Sequence, residues 1–124
     1  LQRPFFYGMT VTGDYCMGVV ALTDIQNFVA DMAREFLPEK VILFGSYARG
    51  SAGTESDIDL LVVMPEDVSG ARVAADIITR LKPTLPVELV VRSSRQIKER
   101  LALNDFFLRE IMITGKELYA APHH

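Results

Sequence analysis

Two carboxylates one residue apart, Asp57-Ile58-Asp59, stand at the head of an apolar run, Leu60 to Val63. In an extended strand, residues two apart point to the same side. Two like charges held that close are costly unless something offsets them. A divalent cation does so directly, and Mg²⁺ is bound by carboxylates together with substrate phosphate oxygens. An isolated Asp-x-Asp is weak evidence, since such a pair in a loop is usually just solvated. What else the chain places beside it decides the matter.

Upstream, the run Val41 to Phe44 ends in Gly45-Ser46. A strand that ends in Gly-Ser and leads into a helix offers free backbone N–H groups to an anion, and glycine lets a phosphate approach the main chain closely. The pattern is not a Walker loop, because no Gly-Lys-Ser/Thr occurs. Ser46 also reads as the N-cap of the helix that follows. Arg49 lies one turn further on, within reach of the same anion, or else on the open surface. Tyr47 reads as packing, and Ser56 as a residue that caps or orients Asp57. Downstream, Glu88 interrupts the apolar stretch Val87 to Val91. Val87 and Leu89 face one side of that strand and Glu88 the other. A solvated edge-strand residue is one reading. The other is a third carboxylate that joins Asp57 and Asp59, helps to hold a metal and takes a proton from an attacking hydroxyl.

The elements that must position these groups follow from the periodicity. Thr23 with Gln26 reads as a capping box, followed by Ile25, Phe28, Val29, Met32 and Phe36 at helical spacing until Leu37-Pro38. Val41 to Phe44 is a short strand, Tyr47 to Ala52 a short helix, Gly50 to Thr54 a loop, and Ile58 to Met64 a second strand. Ser69 to Leu81 is a helix with Ala74, Ile77, Ile78 and Leu81 on one face. Val87 to Val91 is a third strand. Ser93 with Gln96 opens a further helix, which breaks and restarts near Asn104 or Asp105 and carries Phe107 and Ile111 on its apolar stripe until Gly115. Lys116 to Tyr119 is a last strand or an extended tail. This order predicts an α/β or α+β fold, a small mixed sheet flanked by helices.

At 124 residues the chain fits one domain, long enough to bury roughly two thirds of its unfolded surface. With 49% hydrophobic and 23% charged residues it is globular in composition. A net charge of −3 argues against a dedicated nucleic-acid binder, which needs a basic face. One cysteine, Cys16, excludes an internal disulfide and fits an intracellular, cytoplasmic setting. The longest apolar run, Leu60 to Pro65, is too short to cross a bilayer. Residues 1–22 read as a leader of uncertain origin, with Met9 or Met17 as alternative starts and no signal-peptide pattern. Residues 23–119 form the domain and 120–124 a tail, whose His123 and His124 are native or a tag remnant.

Taken together, Gly-Ser, ten intervening residues, Asp-x-Asp and a carboxylate in a later strand resemble the signature of the nucleotidyltransferase superfamily. The wording Gly-Ser-Tyr-Ala-Arg-Gly followed by Ser-Asp-Ile-Asp-Leu is similar to the minimal nucleotidyltransferases, the MntA-like group, over about Thr23 to Tyr119. The resemblance implies two Mg²⁺ ions held by Asp57, Asp59 and Glu88, and a nucleoside triphosphate, ATP, as donor. It implies a triphosphate on Gly45, Ser46 and Arg49, and AMP transfer to a hydroxyl of a partner protein. The partner it implies is a HEPN-domain toxin, with this chain as antitoxin. A binding antitoxin that acts by contact alone, with a weak metal site, is the alternative. Phe106, Phe107 and Tyr119 are candidates for an interface, or for the core. One departure stands out: the family often has Asp at the third carboxylate, where this chain has Glu88.

Overall fold

The structure, a computed structural model, describes residues 20–122. Cys16, the alternative starts Met9 and Met17 and the terminal histidines lie outside the described residues.

The elements run α1 (Leu22–Phe36), β1 (Lys40–Phe44), α2 (Ser46–Arg49), β2 (Ile58–Met64), α3 (Gly70–Leu81), β3 (Val87–Ser93), α4 (Ser94–Ala102), α5 (Phe106–Thr114) and β4 (Lys116–Ala120). The strands form one mixed sheet in the order β3-β2-β1-β4. β1 is antiparallel to both β2 and β4, and β2 is parallel to β3, to which it is joined through α3. A parallel pair needs such a crossover. The expected α+β architecture is therefore present, and Lys116 onward is a strand rather than a tail.

Strand alternation divides the core in two. Val41, Leu43, Ile58, Leu60 and Val62 turn to one face and pack with Ile25, Val29 and Met32 of α1 and Ile77 of α3. Ile42, Leu61 and Val63 turn to the other and pack with Ile97 of α4 and Leu108 and Ile111 of α5. The layers are helix, sheet, helix.

Several local expectations need correction. α1 begins at Leu22 with Ala21 as its N-cap and no side-chain cap, so Thr23 and Gln26 form no capping box. Val20 and Leu22 pack on the core, which draws the helix start ahead of Thr23, and the Ala21 carbonyl accepts from Asp24 N. α2 is capped by Gly45, not Ser46, which is its first helical residue, and ends at Gly50 rather than Ala52. On α5 the buried pair is Leu108 and Ile111, while Phe107 is half exposed and Phe106 is 80% exposed. The Asp105 side chain accepts from Leu108 N and sets that phase. Tyr119 is buried, and Ile78 is partly exposed. The capping box of Ser93 with Gln96 is present as expected, and α3 begins at Gly70, with Ser69 as its N-cap.

Candidate active site

The carboxylates gather at one end of the sheet, on the face that carries α4 and α5. Asp59 is paired in register with Glu88 on one side and with Phe44 on the other. Residues opposite each other in neighbouring strands project to the same face, so Asp59 and Glu88 stand side by side about 4.8 Å apart along the sheet. Asp57 immediately precedes β2, about two residue rises or roughly 6–7 Å from Asp59.

The electrostatics follow that geometry. The Asp59 carboxyl is pushed above its ordinary value, first by partial burial, then by the negative charge of Glu88, then by that of Asp57. The cross-strand neighbour acts more strongly than the neighbour two residues back. Arg49, exposed at the end of α2, pulls the other way. Arg49, Asp57 and Glu88 thus all act on the Asp59 carboxyl.

Gly45 closes the site from the β1 side. Its φ of 75° and ψ of −153° lie where only glycine is at ease. A Cβ built there would collide with Asp59 Oδ2, so glycine serves here for its conformation and for contact with the carboxylate. Ser46 begins α2, and the first-turn N–H groups of a helix lack intrahelical acceptors. Tyr47 is turned inward as expected, packed on the core with its hydroxyl accepting from Val20 N at 3.1 Å. Ser56 does not need to touch Asp57 to place it: its hydroxyl accepts from Gly53 N at 2.9 Å and closes the loop that delivers Asp57 to the strand.

Among the described residues, no three of Asp, Glu, His and Cys are placed to hold a metal ion on their own. Mg²⁺ uses one or two carboxylates and draws its remaining ligands from phosphate and water, and the neighbouring pair Asp59 and Glu88 offers that number. The partial burial of Asp59 beside the charge of Glu88, and the glycine cradle against its Oδ2, fit a carboxylate kept available for such an ion.

The sequence reading passed over Phe44. It shares the face of Asp59, and its ring meets Phe107 edge-on at 5.6 Å and 86°. An aromatic wall therefore flanks the carboxylates. The signal was available, because Phe44 is the strand residue immediately before Gly45 and alternation places it beside Ile42, not Leu43.

Residues 25–116 match the family model for the nucleotidyltransferase domain. The chain belongs to that family. It is a nucleotidyltransferase. It is 36% identical over 83 residues to a "putative protein adenylyltransferase" of Methanocaldococcus jannaschii, covering 65% of this chain and 78% of the relative. It also resembles the crystal structure of a "putative nucleotidyltransferase" from Sulfolobus solfataricus, with 28% identity, a TM-score of 0.50, and coverage of 64% of this chain and 71% of that one. A chain from a crystal structure of a toxin-antitoxin with AMP-PNP aligns at 22% identity and a TM-score of 0.46, covering 77% of this chain and 73% of that one. Among the described residues, no helix of this nucleotidyltransferase is long and apolar enough to cross a membrane.

Proposed function

We propose that the protein transfers AMP from ATP to a hydroxyl of a partner protein. The observation that carries this reading is the register pairing of Asp59 with Glu88, with Gly45 pressed against Asp59 from the neighbouring strand. The naming of the 36% identical relative as a protein adenylyltransferase supports a protein acceptor.

Gly45, Ser46 and Arg49 hold the triphosphate: the backbone N–H groups and the Ser46 hydroxyl face its anionic oxygens, and Arg49 adds a positive charge. Asp57, Asp59 and Glu88 are the groups that would hold Mg²⁺, two ions in this reading. When bound, Mg²⁺ supplies the positive charge that offsets the three carboxylates and the triphosphate. The acceptor oxygen forms a bond to the α-phosphorus, the bond from that phosphorus to the bridging oxygen of the β-phosphate breaks, and pyrophosphate leaves. The proton of the acceptor hydroxyl passes to Glu88. Glu88 is one methylene longer than the Asp common in the family, and its exposed position leaves room for that length. Positioning and charge stabilisation carry the catalysis.

The similarity of Gly45 to Leu60 to the MntA-like group supports a HEPN-type toxin as the partner, in the cytoplasm, with this chain as antitoxin. A second reading, neutralisation by contact alone, is favoured by the exposed apolar side chains Phe106 and Ile113 on α5. Incubation with [α-³²P]ATP, Mg²⁺ and a candidate HEPN-domain partner separates the two. Transfer labels the partner, and Asp57→Asn or Asp59→Asn removes the label together with the protection. Protection that survives either substitution in full defeats the catalytic reading in favour of contact.

A further inference from the structure

Among the described residues, the outer edge of β3 is open over a short stretch, and that stretch surrounds Glu88. In a parallel pair, successive residues turn their backbone groups alternately to one neighbour and to the other. Ile58 N donates to Pro86 O at 2.8 Å, and Ile58 is in register with Val87. Pro86 and Glu88 therefore turn their backbone toward β2, and Val87, Leu89 and Val91 turn theirs outward. Among the described residues, β2 is the strand that pairs with β3.

Both ends of this edge are closed. Val87 N donates to Leu85 O at 2.9 Å. The Val91 carbonyl accepts from its neighbour's guanidinium, Arg92 Nη1, at 2.8 Å. The start of α3 sits so close to that carbonyl that a Cβ on Gly70 would collide with it. Val91 itself is buried, so among the described residues what remains is the carbonyl of Val87 and the N–H and carbonyl of Leu89. Natural edges are usually blunted by charged side chains, proline or a bulge, and between Val87 and Val91 the one such feature is Glu88 itself, which belongs to the candidate site.

We propose that the acceptor enters as an extended peptide segment added to this edge of β3, with its hydroxyl-bearing residue opposite Glu88. The inference rests on the reading of the site as a protein-modifying transferase. Opposite residues share a face in parallel and antiparallel pairs alike, so the residue beside Glu88 projects over the carboxylates whichever way the segment runs. Its two sequence neighbours project to the other face. There a groove of about 460 Å³ lies between Leu89 and the outer side of α3, where Ala74, Ala75 and Ile78 leave room. The segment that fits has a hydroxyl residue flanked by apolar ones. Main-chain hydrogen bonds give it affinity and the alternate side chains its specificity, as in other strand additions.

The test uses the whole chain with [α-³²P]ATP, Mg²⁺ and short synthetic peptides of alternating valine and threonine around a central tyrosine or serine. Two N-methylated series are made, each blocking the amides of one alternate set of residues. One series should lose labelling by about tenfold, from the loss of one or two hydrogen bonds, and the other should keep it. Leu89→Pro removes an N–H that points away from β2, so the β2–β3 ladder survives and labelling of the unmethylated peptide should fall by a similar factor. The methylated series does not depend on that variant folding. Equal loss in both series overturns the proposal, as does a failure to label any peptide while ATP is still bound in an Asp59-dependent manner. In that last case the transferase reading stands and only the edge is wrong. If neither ATP binding nor labelling depends on Asp59, the underlying reading fails and the proposal falls with it. A homodimer that Leu89→Pro turns into monomers would place a second copy on the edge, which also overturns it.

Discussion

Ile58, Leu60 and Val62 turn toward α1 and α3 and are wholly shielded from water. Their alternate neighbours, Asp59, Leu61 and Val63, turn toward α4 and α5, where the buried cluster is smaller and Phe107 and Ile113 remain in contact with solvent. One seven-residue strand thus carries wholly buried apolar side chains on one face and, on the other, the half-buried Asp59 ahead of the buried Leu61 and Val63. The difference shows how a small chain can place Asp59 and Glu88 side by side in one sheet. The α1/α3 face supplies the stability that the α4/α5 face gives up, and the strict two-residue period of the strand keeps the charges off the stabilising side.

The sharpest way to break that comparison is Asp59→Asn. Transfer should fall by roughly a thousandfold, on the scale seen when a preorganised charge-stabilising group is lost, as read by partner labelling. The same change should make the apo protein more stable at neutral pH. An aspartate whose carboxyl is held above its ordinary value binds its proton more tightly in the folded chain than in the unfolded one. Stability therefore falls as the pH rises from the ordinary aspartate value through the raised folded one, and stays lower above it. Thermal melts across pH 3 to 8 should show a shallower acid-to-neutral decline for Asp59→Asn than for the native chain. Added Mg²⁺ should raise the melting temperature of the native chain and not of the variant. Leu60→Ala, one residue along, tests the opposite face. It should cost about 2–5 kcal/mol in urea unfolding, and, with Asp59 still in place, the acid-to-neutral decline should stay as steep as in the native chain.

Much of this division was legible in the sequence, because the period of two and the apolar run Leu60 to Val63 fix which residues share a face. Asp57, Asp59 and Glu88 could be named for that reason, and Ser93, Asp105 and Gly115 could be named as helix boundaries by local capping chemistry. The register was not legible. That Glu88 stands opposite Asp59, rather than Asp57 or Leu61, depends on how α3 returns the chain, and periodicity is silent on it. The start of α1 was misread because Thr23 and Gln26 satisfy the capping rule while the tertiary packing of Val20 and Leu22 draws the helix further back. On α5, Ile111 is buried as its spacing predicts, while Phe107 stays half exposed because the cap at Asp105 turns Leu108 to the core.

Gly45→Ala joins the two faces in a single substitution. It places a Cβ against Asp59 Oδ2 and forces a residue with a side chain to φ 75°. The strain should cost about 1–3 kcal/mol. Because relief requires Asp59 to move, activity should drop more than that loss of folded protein explains. A variant whose remaining folded fraction keeps full specific activity would show that Asp59 does not need its place against β1.

Ser93→Ala asks whether the looser face can be weakened without reaching the site. Ser93 is buried at the end of β3 remote from Glu88, in register with Met64. Its hydroxyl accepts from Gln96 N at 3.1 Å, and its own N–H donates to Gln96 Oε1 at 2.9 Å. Loss of the cap should cost about 1 kcal/mol. The hydroxyl, after Arg95, also helps to hold the Asp67 carboxyl below its usual range. A lowered aspartate contributes stability above its unfolded value and loses it as the pH falls through the folded one, so the deficit of Ser93→Ala should shrink in acid. Partner labelling at neutral pH should stay within about twofold of native, since a cost near 1 kcal/mol spread over α4 leaves nearly all molecules folded. A large loss of labelling would mean that α4 transmits its position along β3 to Glu88, and that the charged face is as tightly coupled as the sealed one.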